Sequence, residues 1–527
     1  MNLIVNNLRI PVEKDGVDEY VKAVSEKLNI YEETICFIKI LAKTLDASNK
    51  DQFYYDISIA VNTPDSFVNA NAFPLYTEKI KPERRKINSI HKPIIIGFGP
   101  AGMFAALELI EYGLKPIIFE RGKKIEERSV DIQKFIKEKI LNPESNIQFG
   151  EGGAGSYSDG KLFSRINNTE YVNRVLDTYI RFGAPEKIAY VGKPHLGTDV
   201  LCRIVRNIRD YILAEGGEIY YGSKMTDILI SDEQAMGVVI NGEKEYRATS
   251  IYLAVGHSAR DTFEMMHKKG IIIEQKPISV GMRLEHPVEV INLLRYGDKY
   301  KDYCGIGAAS YSFNYNDKIN GRGINTFCMC PGGEVINASS EDGMLVVNGM
   351  SYSQRASAFS NAAIVVTCNT GDYGSTDPLA GIEFQKAIER KAFNSVGGTW
   401  QIPAQNLADY LSGKSSVSLN ENSSAMGAAS VDMNGILPAF VNTALLSAFN
   451  IWKTDYPLAI LHHATLLGAE TRTSAPIRIK RSDRYESINI KNLYPIGEGS
   501  GYTGGIMSSA TDAIKAVESS LTVYYRQ

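Results

Sequence analysis

The stretch Ile94–Gly122, IIIGFGPAGMFAALELIEYGLKPIIFERG, sets Gly97, Gly99 and Gly102 in G-x-G-x-x-G spacing behind an apolar run. It reads as a strand, a tight turn, a helix and a second strand. Gly97 allows the sharp turn, Gly99 lets backbone N–H groups approach a pyrophosphate, and Gly102 lets the helix pack closely on the strand. Pro100 and Ala101 complete the turn, and the helix N-terminus faces the negative charge. Gly113 supplies a helix stop, and Leu114–Glu120 returns as an apolar strand. Glu120, followed by Arg121, lies where a carboxylate accepts hydrogen bonds from both hydroxyls of an adenosine ribose. That acid argues against a 2′-phosphate, hence against NADP here. A bare G-x-G-x-x-G also occurs in glycine-rich loops, but this one has its strand, helix and acid and therefore reads as a dinucleotide site. FAD and NAD are not separated by this stretch.

At 527 residues the chain is too long for one core, and usual domain sizes give about three or four units. Its 57 basic and 60 acidic side chains leave a net charge of −3, with no whole-molecule field for nucleic acid or anionic lipid. The opening MNLIVNNLRI lacks a basic n-region and an apolar h-region, so a cytoplasmic location is expected. The longest apolar window, Ile94–Ile110, is broken by three glycines, Pro100 and Glu108, so no membrane span is expected. The six cysteines show neither a C-x-x-C pair nor a secreted disulfide framework and read as reduced thiols. His462 and His463 are adjacent and lack an acidic or thiol partner at ligand spacing, so no metal site is expected.

Residues 1–88 read as a small α+β unit of ferredoxin-like type with its linker: strand Leu3–Ile10, helix Val17–Leu28, then strands Thr34–Leu45 and Phe53–Val61. The linker Thr77–Lys92 carries Lys79, Lys81, Arg84, Arg85 and Lys86, either a solvated segment or a contact for an anionic partner. Residues 89–275 form the first part of a Rossmann-like α/β domain. Within it, FGEGGAGSYSDGKLF (Phe149–Phe163) is too glycine-rich for a regular core element. It either turns tightly at the surface or brings backbone amides to a ligand. Helix Thr198–Ala214, three short strands and the apolar strand Ser250–Gly256 follow, and His257-Ser258-Ala259-Arg260-Asp261 sits at that strand's carboxyl end, where open α/β sheets bind ligands. Residues 276–460 are strand-rich and read as an inserted mixed α+β substrate domain. Residues 461–527 close the α/β domain with LYPIGEGSGYTGGIMSSATDAIKAV (Leu493–Val517), again strand, glycine turn and helix.

Four stretches decide for FAD: GFGPAG with Glu120-Arg121-Gly122, the loop Gly152-Gly153-Ala154-Gly155-Ser156, LAVGHSARD ending in Gly256 and its polar sequel, and YPIGEGSGYTGG. In this order they resemble the glutathione-reductase-like flavoproteins. The last looks like that group's second flavin motif, which implies that Glu498 after Ile496-Gly497 meets the ribityl or pyrophosphate, and that the helix after Gly504, Gly505 and Ile506 points at the pyrimidine end of the isoalloxazine. Asp is commoner than Glu at that position. CMCPGGEV (Cys328–Val335), VNGMSY (Val347–Tyr352) and ETRTSAP (Glu470–Pro476) are similar to a bacterial family of FAD-dependent dehydrogenases or NAD(P)/FAD-dependent oxidoreductases. The likeness runs from Pro93 onward and implies fold and cofactor, not substrate. That family carries a more basic segment where this chain has LAKTLDASNK (Leu41–Lys50).

The expected activity is hydride transfer between FAD and a small organic substrate. One dinucleotide fingerprint, not two, resembles flavoproteins whose NAD(P)H binds transiently or whose flavin takes electrons from another donor. Catalytic candidates are His257 and Arg260, which either exchange a proton and orient an anion or cap the loop and pair with Asp261. Arg472 suits carboxylate or phosphate, or else pairs with Glu470 or a neighbouring carboxylate. Tyr502 either lies over flavin or substrate or simply packs. Cys328 and Cys330 read as a redox relay or as small buried residues before a turn. Flavin-dependent tRNA modification and a non-catalytic FAD-binding regulator are the alternative functions.

Overall fold

A computed structural model describes residues 1–78, 84–87, 92–162, 169–318 and 320–522. Its central sheet has five parallel strands in the order Leu493–Pro495, Ile251–Leu253, Ile94–Ile96, Ile117–Phe119 and Glu218–Tyr220. The inner strands are short isoleucine-, leucine- and phenylalanine-rich runs, as a sheet covered on both faces requires. Ile95 packs on one side against helices Pro100–Glu111, Thr198–Ala214 and Ile506–Leu521. Ile94 and Ile96 pack on the other, against helix Arg260–Lys268 and the antiparallel strands Met225–Ser231 and Gln234–Ile240. This topology gathers the carboxyl ends of three strands, remote in sequence, at Gly97, Ala254–Gly256 and Ile496–Glu498.

The inserted region forms a seven-stranded, mostly antiparallel sheet. Strand Thr465–Glu470 hydrogen-bonds to Ile278–Pro287 and Ile402–Asn406 within it, so this sheet runs past the boundary expected at 460. Along Ile278–Pro287 the two-residue period sends Val280, Met282 and Leu284 into the apolar core, leaving Arg283 and Glu285 on the opposite, polar face. Both are buried. Burial pushes the Glu285 carboxyl up to about 7, against hydrogen bonds from the Ser423 backbone N–H and hydroxyl.

The N-terminal unit has the expected order: strand Asn2–Pro11, helix Val17–Leu28, strands Cys36–Asp46 and Tyr54–Asn62, with the last strand central. A ferredoxin-like unit has four strands and two helices; the described residues here give three and one. After Asn62 the sequence TPDSFVNANAFP stays irregular apart from turns. The unit is docked rather than tethered. Phe53 is fully buried, stacks on Tyr300 of the insert at 4.1 Å, and donates its N–H to the Tyr300 hydroxyl at 3.3 Å, while that hydroxyl donates to Glu13 at 2.6 Å. Of the linker cations, Lys79 and Lys81 lie outside the described residues, and Arg84 pairs with Glu108 at 3.2 Å and with Glu518. Among the described residues no helix is long and apolar enough to cross a membrane.

Two outcomes follow from this packing. Phe53→Ala should lower stability in urea unfolding by about 3–5 kcal/mol, through loss of the Tyr300 stack. Because the raised acid Glu285 makes the folded state bind more protons than the unfolded chain between about pH 4.5 and 7, stability should fall as pH rises through that window. Glu285→Gln should flatten that slope, whose amplitude is on the order of 1–3 kcal/mol.

Candidate functional site

One cavity opens between the carboxyl ends of the parallel strands and the polar face of the inserted sheet. Its atom-free space, open mouth included, is about 1460 Å³. Two helices start at its wall, Pro100–Glu111 behind Gly99 and Ile506–Leu521 behind Gly505, and neither has a side-chain cap. Uncapped N-terminal amides and the helix dipole suit a bound anion.

The glycines hold backbone against backbone. A Cβ at Gly102 would lie 2.0 Å from the Gly97 carbonyl oxygen, so Gly102 sits beneath the turn rather than on the cavity. A Cβ at Gly153, where φ is +61°, would lie 2.9 Å from Gly99 Cα. The loop expected to approach a ligand thus rests on the fingerprint turn, with Gly153, Ala154 and Gly155 on the cavity wall and Ser156 buried below it.

Arg128, which nothing in the sequence singled out, organises this loop. It is fully buried and donates to the carbonyls of Asn146, Ile147, Gly150, Glu151 and Gly153 at 2.7–3.3 Å. Its pKa is lowered by burial, against the nearby Tyr157 and Glu120. Glu120 completes the frame by accepting from the N–H groups of Phe98, Gly122 and Gly150 at 2.8–3.0 Å. Three of its roughly four acceptor sites are therefore taken. One remains, on Oε2, so a grip on two ribose hydroxyls through separate oxygens is not what this carboxylate offers. Beside it Arg121 stacks on Phe149 at 4.0 Å and forks onto Asp261 at 3.0 Å.

The remaining candidates divide by position. Gly97, Gly99, Pro100, Ala101, Gly256, His257, Arg472, Glu498, Gly505 and Ile506 all line the cavity. His257 Nδ1 stands 3.4 Å from Glu498 Oε2. Gly497 packs behind, its N–H on Asp512, and the Gly504 N–H is held by the Ser508 hydroxyl. Arg472 is fixed by Glu389, Glu341 and the Ser258 and Ser340 hydroxyls, not by Glu470. Arg260 lies behind it, off the wall, pairing with Glu389 and Glu341 rather than with Asp261. Glu389 is fully buried. Burial opposes its charge, yet the two guanidiniums hold its carboxyl well below the usual range. Tyr502 is half-exposed and away from the wall, with the Arg481 and Arg478 guanidiniums over its ring at 4.2 and 4.9 Å.

The inserted domain supplies the far wall: Phe327, Cys328, Asn348, Glu470 and Thr473. Lys161 reaches it from the glycine loop and donates to the Met329 carbonyl. Burial works against its ammonium, but Cys328, Cys330 and Asp159 together hold its pKa above the ordinary range. Asp159, whose burial is outweighed by Lys161 and Arg355, is brought down to about 2.

Residues 277–473 match the family described as FAD-dependent protein, C-terminal domain-like. On a cavity with two uncapped helix N-termini and glycine contacts that leave no room for side chains, this makes FAD the cofactor of the chain. The sequence is 39% identical over 529 aligned residues to an uncharacterized protein of Clostridium beijerinckii, covering 98% of each chain. The chain belongs to the same family as that protein. Solved structures also align, at low similarity. A flavin-dependent brominase matches at 13% identity and TM-score 0.38, covering 83% of this chain and 80% of that one. A geranylgeranyl bacteriochlorophyll reductase-like protein from Thermoplasma acidophilum matches at 11% and 0.34, covering 82% and 79%.

Arg128→Met leaves five loop carbonyls without their donor. The expected cost is on the order of 3–5 kcal/mol, with loss of FAD retention on gel filtration. Arg128→Lys, which keeps the charge but offers fewer donors, should fall between the two.

Proposed function

We propose that this protein is a FAD-dependent oxidoreductase that transfers hydride between the bound flavin and a small organic substrate. The observation that carries the reading is the two-ended cavity. One end is backbone amide and glycine, suited to a dinucleotide; the other is a wall of side chains from a separate domain, suited to a substrate. A glutathione-reductase-like arrangement would set the adenosine and pyrophosphate at Gly97–Gly102 and Glu120 and the ring system near Gly505 and Ile506. FAD, when bound, supplies the two-electron chemistry.

The chain's own residues do the rest. The amides at the start of helix Ile506–Leu521 favour negative charge near them. His257 can hold or pass a proton at Nδ1, with Glu498 beside it. Arg472, locked by Glu389, orients the Ser258 and Ser340 hydroxyls. Phe327 and the inserted sheet line the far end. A single dinucleotide fingerprint favours a pyridine nucleotide that binds transiently, or another electron donor, over a resident NAD(P)H domain.

Purified protein should be yellow. Under anaerobic conditions, titration with NADH, NADPH or dithionite should bleach the bound flavin's long-wavelength band. A bleach by either nucleotide identifies the donor, and a bleach by dithionite alone points to another one. Flavin that no reductant changes would favour a non-catalytic FAD-binding role instead.

A further inference from the structure

On the far wall, strand Arg322–Cys330 slips by one residue against Phe359–Cys368 between Phe327 and Cys330. At this bulge Cys328 has φ +43°, a backbone state that costs a non-glycine residue about 1–3 kcal/mol and that clusters at functional sites. Cys328 lines the cavity, whereas Cys330 is fully buried just behind it. Cys330 Sγ donates to the Cys328 carbonyl at 3.3 Å. The space around it is made by two glycines: a Cβ at Gly349 would lie 2.7 Å from Cys330 Sγ, and one at Gly333 would lie 3.0 Å from Cys330 Cβ. The charged groups facing the pair are Lys161 and Asp159 from the glycine loop, Arg355, and Arg283 with Glu470 from the inserted sheet. Arg283 donates to the Cys328 carbonyl at 2.9 Å.

We propose that Cys328 and Cys330 form a two-electron dithiol–disulfide centre on the cavity wall, with Cys328 attacking a small disulfide substrate and Cys330 resolving the adduct. The two sulfurs are unlike in the way such a pair requires. The neighbouring Cys330 side chain, with Lys161 and Arg283 outweighing burial, holds the Cys328 thiol well below its ordinary pKa, while the neighbouring Cys328 side chain and burial hold Cys330 well above. A cavity-facing thiolate with a protonated thiol behind it is the arrangement of attacking and resolving cysteines.

In the exchange, the Cys328 thiolate bonds to one sulfur of R–S–S–R and the S–S bond breaks, releasing R–S⁻. That thiolate takes the Cys330 proton. Cys330 then bonds to Cys328 Sγ and expels the second R–S⁻, which is protonated from water. The pair loses two electrons and the substrate gains them; exchange with a dithiol reductant reverses it. The proposal goes beyond the flavin reading, and its test reads thiols, so either can fail without the other.

The test uses the full-length protein, reduced, freed of reductant, and exposed to oxidised glutathione. The wild-type mass should fall by two hydrogens within the tryptic peptide Gly323–Arg355, whose only cysteines are Cys328 and Cys330. Cys330→Ser should stop at a glutathione adduct on Cys328, and Cys328→Ser should leave Cys330 unmodified, with circular dichroism confirming that both variants fold. Iodoacetamide at neutral pH should label Cys328 about tenfold faster than the exposed Cys36 and Cys304. A peptide that stays reduced while Cys36 and Cys304 take up glutathione, or equal alkylation rates, would overturn the proposal.

Discussion

Five carbonyl oxygens, from Asn146, Ile147, Gly150, Glu151 and Gly153, converge on the Arg128 guanidinium in a fully buried position. A trans peptide sends its N–H opposite to its C=O, so two of these peptides turn their amides outward. The Glu151 N–H reaches the Lys123 carbonyl and the Gly152 N–H reaches that of Phe98. One buried cation thereby clamps the glycine loop onto the fingerprint turn, and the close approach of Gly153 to Gly99 is a consequence. Glu120 adds the complementary constraint by collecting three amides from the same segments. Cation and carboxylate share the frame without touching each other, and everything that lines the cavity near Gly97–Gly155 depends on both.

The rest of the cavity is assembled by charge pairs between distant segments. Glu389 binds Arg260 and Arg472 together, joining helix Arg260–Lys268 of the α/β domain to the segment after strand Thr465–Glu470. Glu470 and Arg283, both buried, tie adjacent strands of the inserted sheet at the point where Cys328 reaches the wall. Each pair is costly to bury and weak evidence for net stability, but removal of one partner strands the other. Their value here is geometric, since the Glu389 pairs hold two domains in register across a cavity that neither domain encloses alone, and the Arg283–Glu470 pair fixes two strands of its wall.

What could be read from the sequence was what local backbone geometry dictates. Gly97 and Gly102 announce their turn because only glycine survives those close approaches, and Gly505 marks its helix start with φ +89°. The strand–helix–strand order of the first unit and the apolar strand before Gly256 were equally visible. Partner choice was not. Arg128 sits in a polar-looking helix, EERSVDIQKF, with nothing to mark its burial. Arg260 and Asp261 are adjacent and invite pairing, yet each is claimed by a group more than a hundred residues away. Tyr502 looked like a flavin neighbour because it interrupts the glycine turn, but two arginines cover it. The fully buried strand Thr465–Glu470 has no polar alternation to show which sheet it joins.

The central claim is that four remote segments form one FAD cradle. Hydrogen exchange followed by mass spectrometry, on protein with and without FAD, tests it most directly. The account predicts that FAD slows exchange together in segments 97–103, 120–123, 148–156 and 497–509, with the N-terminal unit unchanged. Slowing confined to one of these segments, or shared with none, would contradict it.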